Sequence, residues 1–303
     1  MMAPDPRLRP HVLCYYSELP PAAPPSRSAA VPRSAAVPRS AAVPRSASLP
    51  GSGEELLIPD GHSELVFVID SAFERWAVGQ PERRAVMRQS YVIGSRSHSV
   101  ITRDLGPVAV AGVKLDPRAL RWLLGMPLTE LSDATLSLRE LGQTRLLELE
   151  DAVASAARGA PGALAQALDR ALLRALRDMP AGGRPIDDLV ARIRSSRGAM
   201  PILEWIARQG LDARQVERQF SATMGMTPKR YARVIRFKHS YHQLIASSST
   251  QPPGVHLDGF YDQSHFNKEF RTFIGAPPRA RLARSLGHAT NISDRLLAGE
   301  LSP

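Results

Sequence analysis

The sequence predicts an α+β protein of two domains, and three observations predict it. Short apolar runs bounded by turn residues recur between Glu54 and Leu115, the pattern of a small all-β unit. From Asp116 onward the chain is rich in Ala, Leu and Arg, with leucines at helical spacing. Charge divides the chain unevenly. Residues 190–285 hold 16 of the 39 Lys/Arg but only 6 of the 29 Asp/Glu, leaving 23 of each sign elsewhere. All of the +10 net charge therefore lies in the last third, which points to a polyanionic partner for that part alone. At 303 residues, each half is long enough to bury its own core.

Residues 1–19 form an N-terminal strand region around His11–Tyr16. Prolines at 20, 21, 24 and 25 follow, and then the hexapeptide Ser-Ala-Ala-Val-Pro-Arg repeats from Ser28, Ser34 and Ser40. A proline in every six residues suits neither a helix nor a paired strand, so 20–53 reads as a disordered, extended insertion. Its arginines, Arg33, Arg39 and Arg45, offer cations to a nucleic acid or protein, but a tolerated surface-loop expansion is the plainer reading. The single Cys14 excludes an internal disulfide and a cysteine-based zinc cluster, which fits a reducing compartment. No run of 18 apolar residues exists and Met1–Pro10 leads into no signal-type apolar core, so a cytoplasmic location without membrane association is expected.

Strand-length runs follow at Leu56–Ile58, Glu64–Asp70, Ser90–Gly94, His98–Thr102 and Val108–Leu115, suggesting a small barrel or sandwich. His62 and His98 stand alone and no His-x-His occurs, so neither a metal site nor a catalytic residue is expected. Glu64, Arg96 and Trp76 are candidates to line a ligand pocket. Pro117 suits a helix start carrying Leu120, Trp122, Leu123 and Leu124. A second helix is predicted from Leu138 to about Ala157. Leu164, Leu168, Leu172 and Leu176 form a stripe that either packs internally or, in the sharper reading, meets a second copy of the chain. Pro180–Pro185 is the expected linker, so 54–179 is one domain and 186–285 the next.

The most informative stretch runs from Gly259 to Phe270 and continues through Arg271, Phe273, Gly275 and Pro278. Asp262 can cap a helix by accepting from free N–H groups of the next turn. Phe266, Phe270 and Phe273 recur at spacings of four and three and bury one face. The opposite face carries Gln263, Ser264, Asn267, Lys268 and Arg271, groups that read base edges and phosphates. Gly275 and Pro278 end the helix. Earlier, Ile202–Arg208, a turn at Gly210 and Asp212, and Ala213–Phe220 form a similar unit. There Val216 and Phe220 point inward while Arg214, Glu217 and Arg218 share the outer face.

The later stretch resembles the second helix-turn-helix of the AraC/XylS family of transcription regulators, and the earlier one the first. Gly225-Met226-Thr227-Pro228-Lys229-Arg230-Tyr231 matches that unit's usual close. The resemblance covers about residues 186–285. It implies an all-α domain of two helix-turn-helix units joined by a long helix from about Pro228 to Ile245, packed through Tyr231, Val234, Ile235 and Tyr241. It implies double-stranded promoter DNA as partner, with Arg214, Glu217 and Arg218 reading bases from the first unit beside Gln215. Gln263, Ser264, Asn267 and Lys268 would read from the second, and Arg271 and Lys229 complete the DNA-contact set. Among Lys229, Arg230, Arg233, Arg236 and Lys238, some are expected on phosphates.

More weakly, Pro59-Asp60-Gly61 before a strand, and Gly112-Val113-Lys114-Leu115-Asp116-Pro117 ahead of Trp122-Leu123-Leu124, resemble the cupin-like N-terminal domain of one branch of that family, which implies a sensory or dimerising role for 54–179. The partners this leaves open are a small-molecule effector, RNA polymerase and a second copy of the chain; no cofactor is implied. Two departures stand out. Pro253-Gly254 occupies a place where the family carries a core isoleucine, and Ala207 and Gly210 are one residue closer than usual. Competing readings are a cupin-type enzyme carrying a DNA-binding appendage and a degenerate regulator that binds DNA without sequence preference. Residues 286–303 are read as a flexible tail.

Overall fold

The computed structural model describes residues 1–19, 54–159, 162–180, 182–246, 260 and 262–277. The insertion expected over 20–53, the Pro253-Gly254 departure and the tail 286–303 lie outside the described residues.

The described strands are β1 (Val12–Glu18), β2 (Glu54–Leu57), β3 (Ser63–Val68), β4 (Phe73–Ala77), β5 (Ala85–Met87), β6 (Tyr91–Ile93), β7 (Val100–Asp104), β8 (Val110–Leu115) and β9 (Thr135–Ser137). They form two antiparallel sheets, β1-β8-β3-β6-β9 and β2-β7-β4-β5, rather than a closed barrel. Sequence periodicity missed β4, β5 and β9, which lack a continuous apolar run and take strand form by pairing with β7, β4 and β6.

Side-chain alternation explains why β3 is apolar at consecutive positions from Leu65 to Val68: both its faces are covered. Leu65 and Phe67, with Val92, Ala111 and Val113 of neighbouring strands, pack under the helices that follow. Val66, Tyr91 and Ile93 face the second sheet and meet Phe73.

The helices are α1 (Pro117–Leu124), α2 (Leu138–Leu141), α3 (Thr144–Ala156), α4 (Ala163–Ala175), α5 (Pro185–Ser195), α6 (Ile202–Arg208), α7 (Ala213–Met224), α8 (Pro228–Ala246) and α9 (Gln263–Ile274). Pro117 opens α1 behind an Asp116 cap whose carboxylate accepts from the Arg118 amide at 2.9 Å. The helix expected from Leu138 to Ala157 is two, because Gly142 turns left-handed at φ 60 after α2. Leu164, Leu168, Leu172 and Leu176 are buried in the core shared with α3 and the first sheet. That stripe therefore packs internally, and the sharper reading of it as a contact with a second copy fails.

The first half buries a core of its own, but the core of the helical half takes in residues of the first half as well. Leu56 and Ile58 belong to the same apolar cluster as Ile186, Trp205, Phe220, Phe237 and Phe270 of the helical part. Gly61 lies close against α8. Its φ is +79, and a Cβ there would lie 2.8 Å from Ile235 Cδ1 and 3.0 Å from Tyr231 Cε2. A Gly61→Ala chain should lose about 1–3 kcal/mol of stability, from left-handed strain plus the forced shift of the Ile235 and Tyr231 side chains. Denaturant unfolding checks this, and an unchanged midpoint would contradict the packing.

Charged residues occupy one end of the space between the sheets. Glu64 and Lys114 are a cross-strand pair of β3 and β8. The Lys114 ammonium, 0% exposed, lies 2.6 Å from Asp60 and 3.4 Å from Glu64, and Arg96 reaches Glu64 at 3.1 Å. Burial alone would raise the Asp60 carboxyl, but Lys114 and then His62 outweigh it and hold it well below the usual range.

Candidate nucleic-acid interface

The first unit is α6, a turn and α7. Asp212 caps α7 by accepting from the Gln215 amide at 2.7 Å, as its position predicts. Val216, Phe220 and Met224 turn inward and are buried. Arg214, Gln215, Glu217 and Arg218 are all exposed on the opposite side. Pro228 then starts α8, and Lys229 stands exposed in its first turn.

The second unit repeats the logic on α9. Asp262 accepts from the His265 amide at 2.7 Å, and Gly275 ends the helix left-handed at φ 77. Phe266, Phe270 and Phe273 are buried. Phe273 stacks on Phe237 of α8 with ring centroids 4.3 Å apart. Gln263, Ser264, Lys268 and Arg271 are exposed, and Asn267 is half-buried with its carbonyl accepting from the Gln263 amide at 3.2 Å.

The structure brings these faces together around one groove. An opening of about 890 Å³ is bordered by Arg214, Glu217 and Arg218 of α7, Lys229 of α8, and His265 and Glu269 of α9. Beside it, Ser264, Asn267, Lys268 and Arg271 line a second, shallower hollow. Among the described residues, the side chains of Arg214, Arg218, Lys229, Lys268 and Arg271 make no ion pair.

Other cations expected on phosphates are engaged within the protein. Arg230 pairs with Asp133 of the first domain at 2.9 Å. Arg233 grips Glu269 through two hydrogen bonds of 2.9 and 2.8 Å and so fixes α9 against α8. Arg236 donates to the Gly198 carbonyl at 2.8 Å. Lys238 lies instead at a cavity between the domains. Sequence spacing gave no warning, because these partners are distant in the chain.

The N-terminal domain holds the helical domain from behind. Ser132 donates to the Gly225 carbonyl at the end of α7, and Arg121 donates to Thr223 at 3.3 Å. Arg194 of α5 donates to Asp116 at 2.9 Å, and Arg118 reaches Asp187 at 3.1 Å. The Ser99 amide donates to the Phe273 carbonyl at 3.4 Å. These contacts fall on helix ends and inner faces and leave both polar faces open. Asp133, which holds Arg230, would be raised by burial, but hydrogen bonds from His98 and Ser97 bring it from 3.8 down to about 2.

Of the pocket candidates, Glu64 and Arg96 do meet, but as a buried ion pair. Trp76 lies instead beneath the Arg84 guanidinium, 4.5 Å from its ring centre. Among the described residues no group of three His, Cys, Asp or Glu side chains is placed to hold a metal, and no helix is long and apolar enough to cross a membrane.

Two capped helices, each apolar inside and cationic outside and joined by a long helix, have the form of a helix-turn-helix domain. A family model described as a helix-turn-helix domain matches residues 205–284. The transcriptional activator RhaS of Yersinia pestis (strain Pestoides F) is 35% identical over 72 residues, 24% of this chain and 26% of that protein. RhaS of Yersinia pseudotuberculosis serotype O:1b (strain IP 31758) matches equally. The chain thus spans about a quarter of the length of the curated relatives it matches. Among solved structures, ToxT from Vibrio cholerae O395 aligns with a TM-score of 0.42 and 9% identity, covering 78% of this chain and 95% of that one. Residues 205–284 are thus similar to a helix-turn-helix domain, and within them the chain is similar to the RhaS activators.

Proposed function

We propose that the chain is a sequence-specific, DNA-binding transcriptional regulator of the AraC type, acting in the cytoplasm and modulated through its N-terminal domain by a small molecule or a partner. Residues 186–285 are the DNA-binding domain and 54–179 the sensory or dimerising one. The observation that carries the reading is the shared groove: α7 and α9 border it, each held from behind with its polar face open. In this reading Arg214, Gln215, Glu217 and Arg218 read one stretch of major groove. Gln263, Ser264, Asn267 and Lys268 read the next, with arginine suited to guanine and glutamine or asparagine to adenine. Lys229 and Arg271 neutralise phosphate.

In vitro selection of duplexes bound by the full chain tests it. The expected product is an asymmetric motif of two blocks. Equal retention of every duplex would overturn sequence-specific reading. Lys229→Ala should weaken binding to all duplexes alike and reduce the salt slope of log affinity by about 0.9. A loss confined to one base pair would contradict its phosphate role.

A further inference from the structure

The ion pair Arg233–Glu269 borders the groove that α7 and α9 share. Arg233 lies one turn after Lys229 on α8, and Glu269 lies on α9 between Lys268 and the buried Phe270. Around this pair, α9 meets α8 through rings. Phe237 stacks on Phe273 with centroids 4.3 Å apart, and Tyr241 on Phe270 at 6.1 Å. Such contacts hold two surfaces together but let one slide or turn on the other, because apolar burial has no direction.

The fork of Arg233 removes that freedom. Its two N–H groups donate to the two Glu269 oxygens at 2.9 and 2.8 Å, which fits one position and one tilt of α9 only. The guanidinium is itself seated, 5.8 Å from the centre of the Phe273 ring. Most surface ion pairs contribute little, but bidentate geometry and partial burial make this one an exception. The Glu269 side chain is 14% exposed and that of Arg233 38%. Tilt and position matter because duplex DNA is a screw. One extra base pair between two blocks carries the second about 3.4 Å along the axis and roughly a tenth of a turn around it. A bound constellation tolerates only about 0.5 Å and 10–20°.

We propose that Arg233 and Glu269 are positioning residues whose clamp sets the distance and tilt between the two reading faces. The chain then selects duplexes by the spacing of their two blocks as well as by the bases within them. Neither residue acts by touching a base; both act through the placement of Gln263, Ser264, Asn267 and Lys268. The inference rests on the two-face reading above and adds to it the geometry of the target.

Two measurements on the full chain test it, and the first uses no DNA. Spin labels at Gln219→Cys and Thr272→Cys, exposed positions on α7 and α9 outside the reading set, report the distance between the helices. Cys14 is buried and takes no label. One narrow distance is expected for the parent chain. A markedly broader distribution is expected after Arg233→Lys, which keeps the charge and loses the fork, or Glu269→Gln, which keeps the shape and loses the charge. The second measurement is binding to the selected duplex and to versions with one base pair inserted or deleted between the blocks. The parent chain should favour the selected spacing about tenfold or more, since a displaced block forfeits at least one bidentate base contact. Both variants should keep about threefold of that preference or less, while a base change inside either block costs them what it costs the parent. A phosphate contact would instead weaken all the duplexes alike, and a purely structural lesion would lower the unfolding midpoint without changing their ratio. Either result, or label distances as narrow in both variants as in the parent, overturns the proposal. Should selection yield no motif of two blocks, the base-reading account fails and the label distances alone decide the clamp.

Discussion

Replacing Arg218 and Lys268 together by alanine is expected to lower affinity for the selected duplex by about 2–6 kcal/mol, or ~30-fold to ~10⁴-fold. Each side chain is worth roughly 1–3 kcal/mol if it reads one base pair, and the two sit on separate helices, so their losses should add. Neither makes an ion pair among the described residues, and both are exposed, so the unfolding midpoint should not move. Fluorescence anisotropy with the selected duplex and with a scrambled one separates the outcomes. A reader of bases loses discrimination between the duplexes. An equal drop for both would reduce these residues to phosphate neutralisers and contradict the proposed base-reading role.

Replacing Lys114 by methionine should cost about 3–5 kcal/mol, because it takes from buried Asp60 its nearest counter-charge and leaves Glu64 paired with Arg96 but not with Lys114. That loss is a large part of a typical domain's stability, so the variant should be recoverable only at low temperature or low pH. The pH trend gives a sharper readout than the magnitude. In the native chain Asp60 is held below its ordinary 3.8, so its contribution is complete above that value and fades as pH falls through the depressed folded pKa. Without Lys114, burial dominates and raises the same carboxyl. The variant should then lose stability as pH rises from about 4 towards 7, the reverse of the native trend. Chemical unfolding of both chains at several pH values checks this, and parallel profiles would refute the buried-pair account.

The two recognition faces were legible because what makes them is local. Capping by Asp212 and Asp262 acts within one turn, and burial of Val216/Phe220 and Phe266/Phe270/Phe273 follows from helical spacing alone. Once the inner face is fixed, the outer face follows. β1, β2, β3, β6, β7 and β8 were legible for the same kind of reason, whereas β4, β5 and β9 depended on pairing partners that no short window contains.

The sequence by itself determined the order of elements, the basic C-terminal third and which residues of α7 and α9 point outward. Only the tertiary structure decided the use of the remaining charges and leucines. It set Arg230 on Asp133, Arg233 on Glu269 and Arg236 on Gly198, partners 97, 36 and 38 residues away. It also turned the Leu164–Leu176 stripe inward and gathered Arg194, Arg197 and Lys238 around one cavity. Periodicity reports which way a side chain leaves its own element. What it meets there depends on chain segments brought close by folding, and a cation's role changes entirely when the group opposite is a carboxylate rather than water.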